Sequence, residues 1–204
     1  KPKPEFFFVI PIIVFCGVFI WNYFAFQYLW SFIVYFTVYH NIRQLYGINK
    51  WYQLTVGRFE RKTDYFLYSV CYLSFAALHF KPGFHYAYYT GHDLFTFPSE
   101  VIYLFLKNFV FVILIAYFLY EIATAFKNKS FFLRRFLFIL SSQLIYVAAC
   151  IYSENELQLL APLVLTHAIQ YFSLVVLTST KTNSIFKNNY RKAALFIAAT
   201  LLFF

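Results

Sequence analysis

The chain has 204 residues, 62% of them hydrophobic and only 12% charged, with a formal net charge of +9. A soluble globular chain is about half apolar and about a quarter charged, so this composition, with a mean hydropathy of +0.62, excludes an ordinary soluble domain and points to an integral membrane protein. Phenylalanine (30) and tyrosine (19) are abundant, which suits a lipid-facing surface with interfacial aromatic belts.

A spanning helix needs about 20 mainly apolar residues. The opening "KPKPEFFFVIPIIVFCGVFIW" has the basic start and apolar core of a signal peptide. It lacks a small-x-small cleavage site and more apolar runs follow, so a retained first span is expected. The run 6–39 is too long for one crossing. A tight hairpin is expected at 22–27, beside Trp21, Tyr23, Tyr28 and Trp30, giving span 1 at 5–21 and span 2 at 26–46. Span 3 is expected at 64–80, after the polar connection "GINKWYQLTVGRFERKT". The Gly- and Pro-punctuated loop "KPGFHYAYYTGHDLFTFP" follows, and then span 4 at 99–126. The turn "KNKS" leads into span 5 at 131–152, and "SENE" into span 6 at 157–179. The tail "AALFIAATLLFF" is too short to cross alone. Starting at Lys1 without Met, the chain reads as processed or as a piece of a longer protein. The expected fold is all-α, a polytopic integral membrane helical bundle of six spans plus a truncated seventh, forming one domain, 1–204.

The charge has a side. Under this topology 15 of the 17 Lys and Arg residues fall on alternate connections, and the other side holds Lys81, with Lys107 inside span 4. Asp93, Glu100, Glu154 and Glu156 lie opposite the basic face. The positive-inside rule makes the basic face, and the N-terminus with it, cytoplasmic; a bacterial inner membrane is the expected location. The same asymmetry accounts for +9 without nucleic acid.

Ionisable groups at membrane depth cost a few kcal/mol and usually face the bundle interior. In span 2, His40, Arg43 and Gln44 share a helix face at i, i+3, i+4. In span 6, "LTHAIQYFS" repeats that spacing with His167, Gln170 and Tyr171. Both histidines lie about 15 to 21 Å below the outer ends of their spans, so they can meet at one depth. His79, His85 and His92 lie toward the outer side, with Asp93 beside His92. Imidazole binds Zn, Fe and Cu well. The candidate metal ligands are therefore His40, His167, His79, His85 and His92, with Gln44, Gln170, Tyr171 and Asp93 to orient them. A single intramembrane histidine is also ordinary interhelical glue, and Arg43 also reads as a snorkelling boundary cation. Cys16, Cys71 and Cys150 are expected to be packing residues.

The expected function is a membrane-embedded, histidine-ligated metalloprotein. Iron with open positions would make it an oxidoreductase or oxygenase acting on a lipid-soluble substrate. Haem b held by His40 and His167 is the alternative cofactor. A non-catalytic subunit of a larger membrane complex, or a small transporter, is the alternative role. In size, expected span count and intramembrane histidines the chain looks like the small bacterial membrane oxygenases that cleave carotenoids with a four-histidine iron. No motif of theirs aligns with it.

Overall fold

A computed structural model describes residues 5–57, 59–84 and 94–182, without the side chains of 5–8, 24–30, 55–56 and 171–182. Among the described residues every regular element is helical: α1 Glu5–Val56, α2 Arg61–His79, α3 Glu100–Asn128, α4 Leu133–Val147 with a π-helical continuation Ala148–Tyr152, and α5 Glu156–Thr182. The expected spans 3 to 6 coincide with these helices to within three residues.

The expected hairpin is absent. Helix α1 runs unbroken through 22–27 and on to Val56, 52 residues in all and about 78 Å long. The physical reason is legible in "NYFAFQ": it holds no Gly or Pro, so nothing there ends a helix. Where helices do end, the breakers are specific. Gly57 (φ 70°) closes α1 in the left-handed region, accessible to glycine at little cost. Helix α3 ends at Lys129 (φ 50°), with Ser130 N–H donating to Ala125 O at 3.2 Å, a Schellman closure with a non-glycine residue at its left-handed position. Asn155 caps α5 by accepting from the Gln158 N–H at 3.0 Å, while the Gln158 side chain accepts from the Glu154 N–H at 2.7 Å, close to a capping box.

The C-terminal half of α1 and helices α2, α3 and α4 run alternately up and down, as their end contacts show. At one end Lys50 of α1 meets Asp64 of α2, and Arg135 of α4 meets Glu121 of α3. At the other end Lys81, just past α2, and Tyr103 of α3 both bond Ile151 O at the close of the π-helical segment. Helix α5 returns alongside α1. The core contains Ile42, Leu67, Cys71, Leu78, Tyr117, Ile139 and Cys150, all fully buried. A smaller cluster of Val70, Val110, Leu114, Val147 and Ile151 joins α2, α3 and the end of α4.

Among the described residues two helical stretches are long and apolar enough to cross a membrane, Glu100–Asn128 and Leu133–Tyr152. Helix α2 falls outside that class because its 19 residues include Arg61, Lys62 and Asp64 and are rich in Tyr and Ser. The outer surface is nevertheless strongly apolar. Along α3, Val101, Phe105, Val112, Ile115, Leu119 and Phe126 are exposed, Phe126 by 81%. The stretch Val9–Tyr23 is apolar and exposed along its whole length. Apolar exposure on this scale marks a surface that something else covers.

Candidate functional site: the facing histidines of α1 and α5

Helix α1 carries His40 on the face toward α5, and α5 carries His167 toward it. Their ring centroids are 5.7 Å apart and the rings are inclined at 65°. Phe36, one turn before His40, stacks on its ring at 6.4 Å. A metal–nitrogen bond is about 2.0 to 2.1 Å, which puts a ligating ring's centroid roughly 3 Å from the ion. Two imidazoles can therefore share one ion at centroid separations up to roughly 6 Å, and this pair lies within that reach.

The surroundings are polar and under-bonded. Gln44, one turn below His40, donates its amide to the His167 carbonyl at 3.5 Å, a long contact. His167 Nδ1, Gln44 Oε1 and Gln170 Oε1 are buried without a hydrogen-bond partner. Tyr146 Oη is likewise buried and unpaired, and its side chain, with Asn41, Ser142, Thr166, His167 and Gln170, lines a cavity of about 10 Å³. That volume is about one water. Leaving a buried polar atom unpaired costs about 1 to 3 kcal/mol, so several in one place call for an ion, water or other polar occupant.

His79 lies elsewhere and is fully bonded. Its Nδ1 is 2.8 Å from Phe75 O and its Nε2 is 2.8 Å from Tyr35 Oη. A carbonyl only accepts, so Nδ1 carries the proton. Nε2 then accepts from the tyrosine hydroxyl, which in turn accepts from the Phe95 N–H at 3.2 Å. Nδ1 is committed within α2, and Nε2, through Tyr35, ties α2 to α1 and the 94–99 segment. His85, His92 and Asp93 lie outside the described residues, as does the Tyr171 side chain. Among the described residues no group of three or more His, Cys, Asp or Glu side chains could hold a metal ion. The donor set at the candidate site is two imidazoles plus neutral amide oxygens.

Two other polar groups stand at the opposite end from Lys81; in the sequence Glu121 reads as able to reach the basic face, but its partner Arg135 and the Asp64 group were not singled out. Arg135, 5% exposed, takes both Glu121 oxygens at 3.0 Å and approaches Glu60 Oε2 to 3.1 Å. The Glu60 contact is an ion pair without hydrogen-bond alignment, because that oxygen has no hydrogen-bond partner. Asp64 accepts from Asn49 at 2.8 Å and pairs with Lys50 at 2.5 Å. The available signal was that Glu121 and Arg135 sit near the facing ends of consecutive apolar helices. At the opposite end Lys81 donates to the carbonyls of Ile151, at 2.7 Å, and Ser153. Burial lowers the Lys81 pKa from its usual 10.5; Glu154 opposes that and Lys107 adds to it. Lys107 itself turns toward Tyr152, 5.4 Å from its ring, as a snorkelling lysine does.

The chain matches no family model, no curated protein and no solved structure.

Proposed function

We propose that this chain is an integral membrane helical protein whose functional centre is one metal ion held between His40 and His167. The observation that carries the proposal is their juxtaposition, 5.7 Å between rings contributed by two helices, α1 and α5, that lie far apart in sequence. The unpaired oxygens of Gln44 and Gln170 support it, because they can accept from metal-bound water or ligate weakly. Two protein imidazoles leave coordination positions open, as catalytic metals require. Imidazole suits iron, copper and zinc. With iron the reading extends to oxidoreductase chemistry on a lipid-soluble substrate. Haem b is less well supported, because the cavity beside His167 is about one water in volume.

The membrane placement is part of the same proposal. The exposed apolar belt on α3 supports it, as do the basic connections gathered at one end. That end is placed in the cytoplasm, with a bacterial inner membrane as the compartment. A cytoplasmic N-terminus required the hairpin. With α1 unbroken, residue 5 lies beyond the outer end of the bundle, so the basic connections alone carry the orientation.

The test is elemental analysis of detergent-purified wild type and of His40→Ala, His167→Ala and His79→Ala, with an absorption spectrum of each. Stoichiometric metal in the wild type and His79→Ala, lost in the other two, is the expected result. Full metal in both His40→Ala and His167→Ala overturns the site. A Soret band moves the assignment to haem. A metal-free wild type leaves the histidines as interhelical glue in a membrane subunit.

A further inference from the structure

An open groove of about 410 Å³ runs between the 35–39 stretch of α1 and the C-terminal half of α2, on a different side of α1 from the histidine pair. Tyr35, Tyr39, Tyr72, Phe75, Ala76 and His79 line it. Its volume falls in the range of ligand pockets, and its lining is almost wholly apolar. The one polar pair at its outer end, Tyr35 and His79, is closed on itself by the proton arrangement described above. The groove thus favours a long apolar chain over a polar molecule.

The rings continue inward from the groove to a cation. Tyr72 stacks on Tyr68 at 5.9 Å, and Tyr68 on Tyr46 at 5.3 Å. Arg43 lies over the Tyr46 ring at 5.0 Å and donates Nη1 to Tyr68 Oη at 2.9 Å. Its other donors face outward, because Arg43 is exposed. Among the described residues no carboxylate pairs with it, whereas Lys50 has Asp64 and Arg135 has Glu121 and Glu60. An uncompensated guanidinium on a lipid-facing surface calls for an anion, and its planar fork matches phosphate. From Arg43 to Tyr35 is eight residues, about 12 Å along the helix. That is within the roughly 15 Å of one hydrocarbon leaflet.

We propose that the α1–α2 groove binds one anionic phospholipid, its phosphate on Arg43 and one acyl chain along Tyr39, Tyr72 and Phe75. A free phosphate would meet Arg43 but leave the groove empty. A neutral lipid would fill the groove but leave the cation unpaired. The proposal rests on the membrane placement and not on the metal ion. A chain that stays soluble without detergent would remove the placement, whereas metal-free protein would leave this site untouched.

The test is native mass spectrometry of the full chain in mild detergent, after incubation with mixed micelles of phosphatidylglycerol or of phosphatidylcholine. The expected result is one retained phosphatidylglycerol, in preference to phosphatidylcholine. Retention should fall about tenfold in Arg43→Gln. It should fall comparably in Ala76→Phe, which fills the groove, and stay unchanged in Arg134→Gln, an exposed cation on another helix. Equal retention by Arg43→Gln and wild type overturns the proposal. So does an equal loss in Arg134→Gln, which would mean diffuse attraction, or full retention in Ala76→Phe, which would mean a headgroup without a groove. Arg43→Lys keeps the charge without the fork and should retain an intermediate amount. That keeps the test decisive if Ala76→Phe fails to fold.

Discussion

Replacing Arg135 with methionine removes the one cation between two carboxylates. Arg135 and Glu121 are 5% and 2% exposed, and Glu121 gives both oxygens at 3.0 Å. Removing one partner of such a pair leaves an uncompensated buried charge, which costs about 3 to 5 kcal/mol. Glu60 adds to the strain, since it approaches the same guanidinium at 3.1 Å. Arg135→Met should therefore destabilise by about 4 kcal/mol. Glu121→Gln behaves differently. It leaves Arg135 with Glu60, one charge against one, and should cost about 1 to 2 kcal/mol, the loss of a charge-assisted hydrogen bond. The double variant Arg135→Met/Glu121→Gln should be more stable than Arg135→Met alone by about 2 kcal/mol, because the more deeply buried of the two stranded carboxylates is gone and only Glu60 remains. Unfolding by SDS titration in a mild nonionic detergent measures all three. The reasoning fails if Arg135→Met costs under about 1 kcal/mol, as an exposed pair would, or if the double variant is the less stable one.

Lys81→Met should cost about 1.5 to 3 kcal/mol, because the ammonium bonds two carbonyls closing the π-helical segment. Its pKa in the folded chain lies below 10.5, so between that value and 10.5 the unfolded chain binds more protons and wild-type stability rises with pH. Lys81→Met should lack that rise; stability measured from pH 8 to 11 with the same slope in both proteins would refute the assignment. Tyr35→Phe removes the hydroxyl that His79 Nε2 accepts from and should cost about 1 kcal/mol. Nitrogen-15 NMR should show the wild-type ring protonated on Nδ1, and an Nε2–H tautomer would contradict the arrangement. Lys129→Gly should stabilise the chain by up to about 1 kcal/mol, since glycine adopts the φ of 50° more readily; a loss of thermal stability would show that the lysine side chain contributes there.

The legible parts of the sequence were those with local causes. Apolar runs bounded by "KPG", "KNKS" and "SENE" locate α2 to α5 because glycine, a left-handed residue and an Asn cap end or start a helix from within a few residues. The pairing of His40 with His167 was legible because i, i+3, i+4 spacing repeats and the depths match, and the structure places their rings 5.7 Å apart. The hairpin in 22–27 failed for the converse reason. It was inferred from total length, while the residues themselves contain no helix breaker. His79 shows a third limit. Nothing in "AALHF" tells that Tyr35, 44 residues away, takes up its second nitrogen, since only the packing of α1 on α2 brings the hydroxyl there.

The basic asymmetry looks different once the ion pairs are known. Three carboxylates at the basic end are already committed, Glu60 and Glu121 to Arg135 and Asp64 to Lys50. Lys50 and Arg135 therefore contribute little to the outward field of that end. Among the described residues the cations at the connections that remain to meet anionic headgroups or resist translocation are the exposed ones, Arg61 and Lys62 opening α2, Lys127 and Lys129 closing α3, and Arg134 opening α4, with Arg43 exposed on α1 itself. Those at the connections lie on two of them, both at one end of the bundle. Losing the hairpin leaves the alternation from the C-terminal half of α1 onward unchanged. The proposed orientation therefore depends on these exposed cations, which the core does not neutralise, and not on the hairpin.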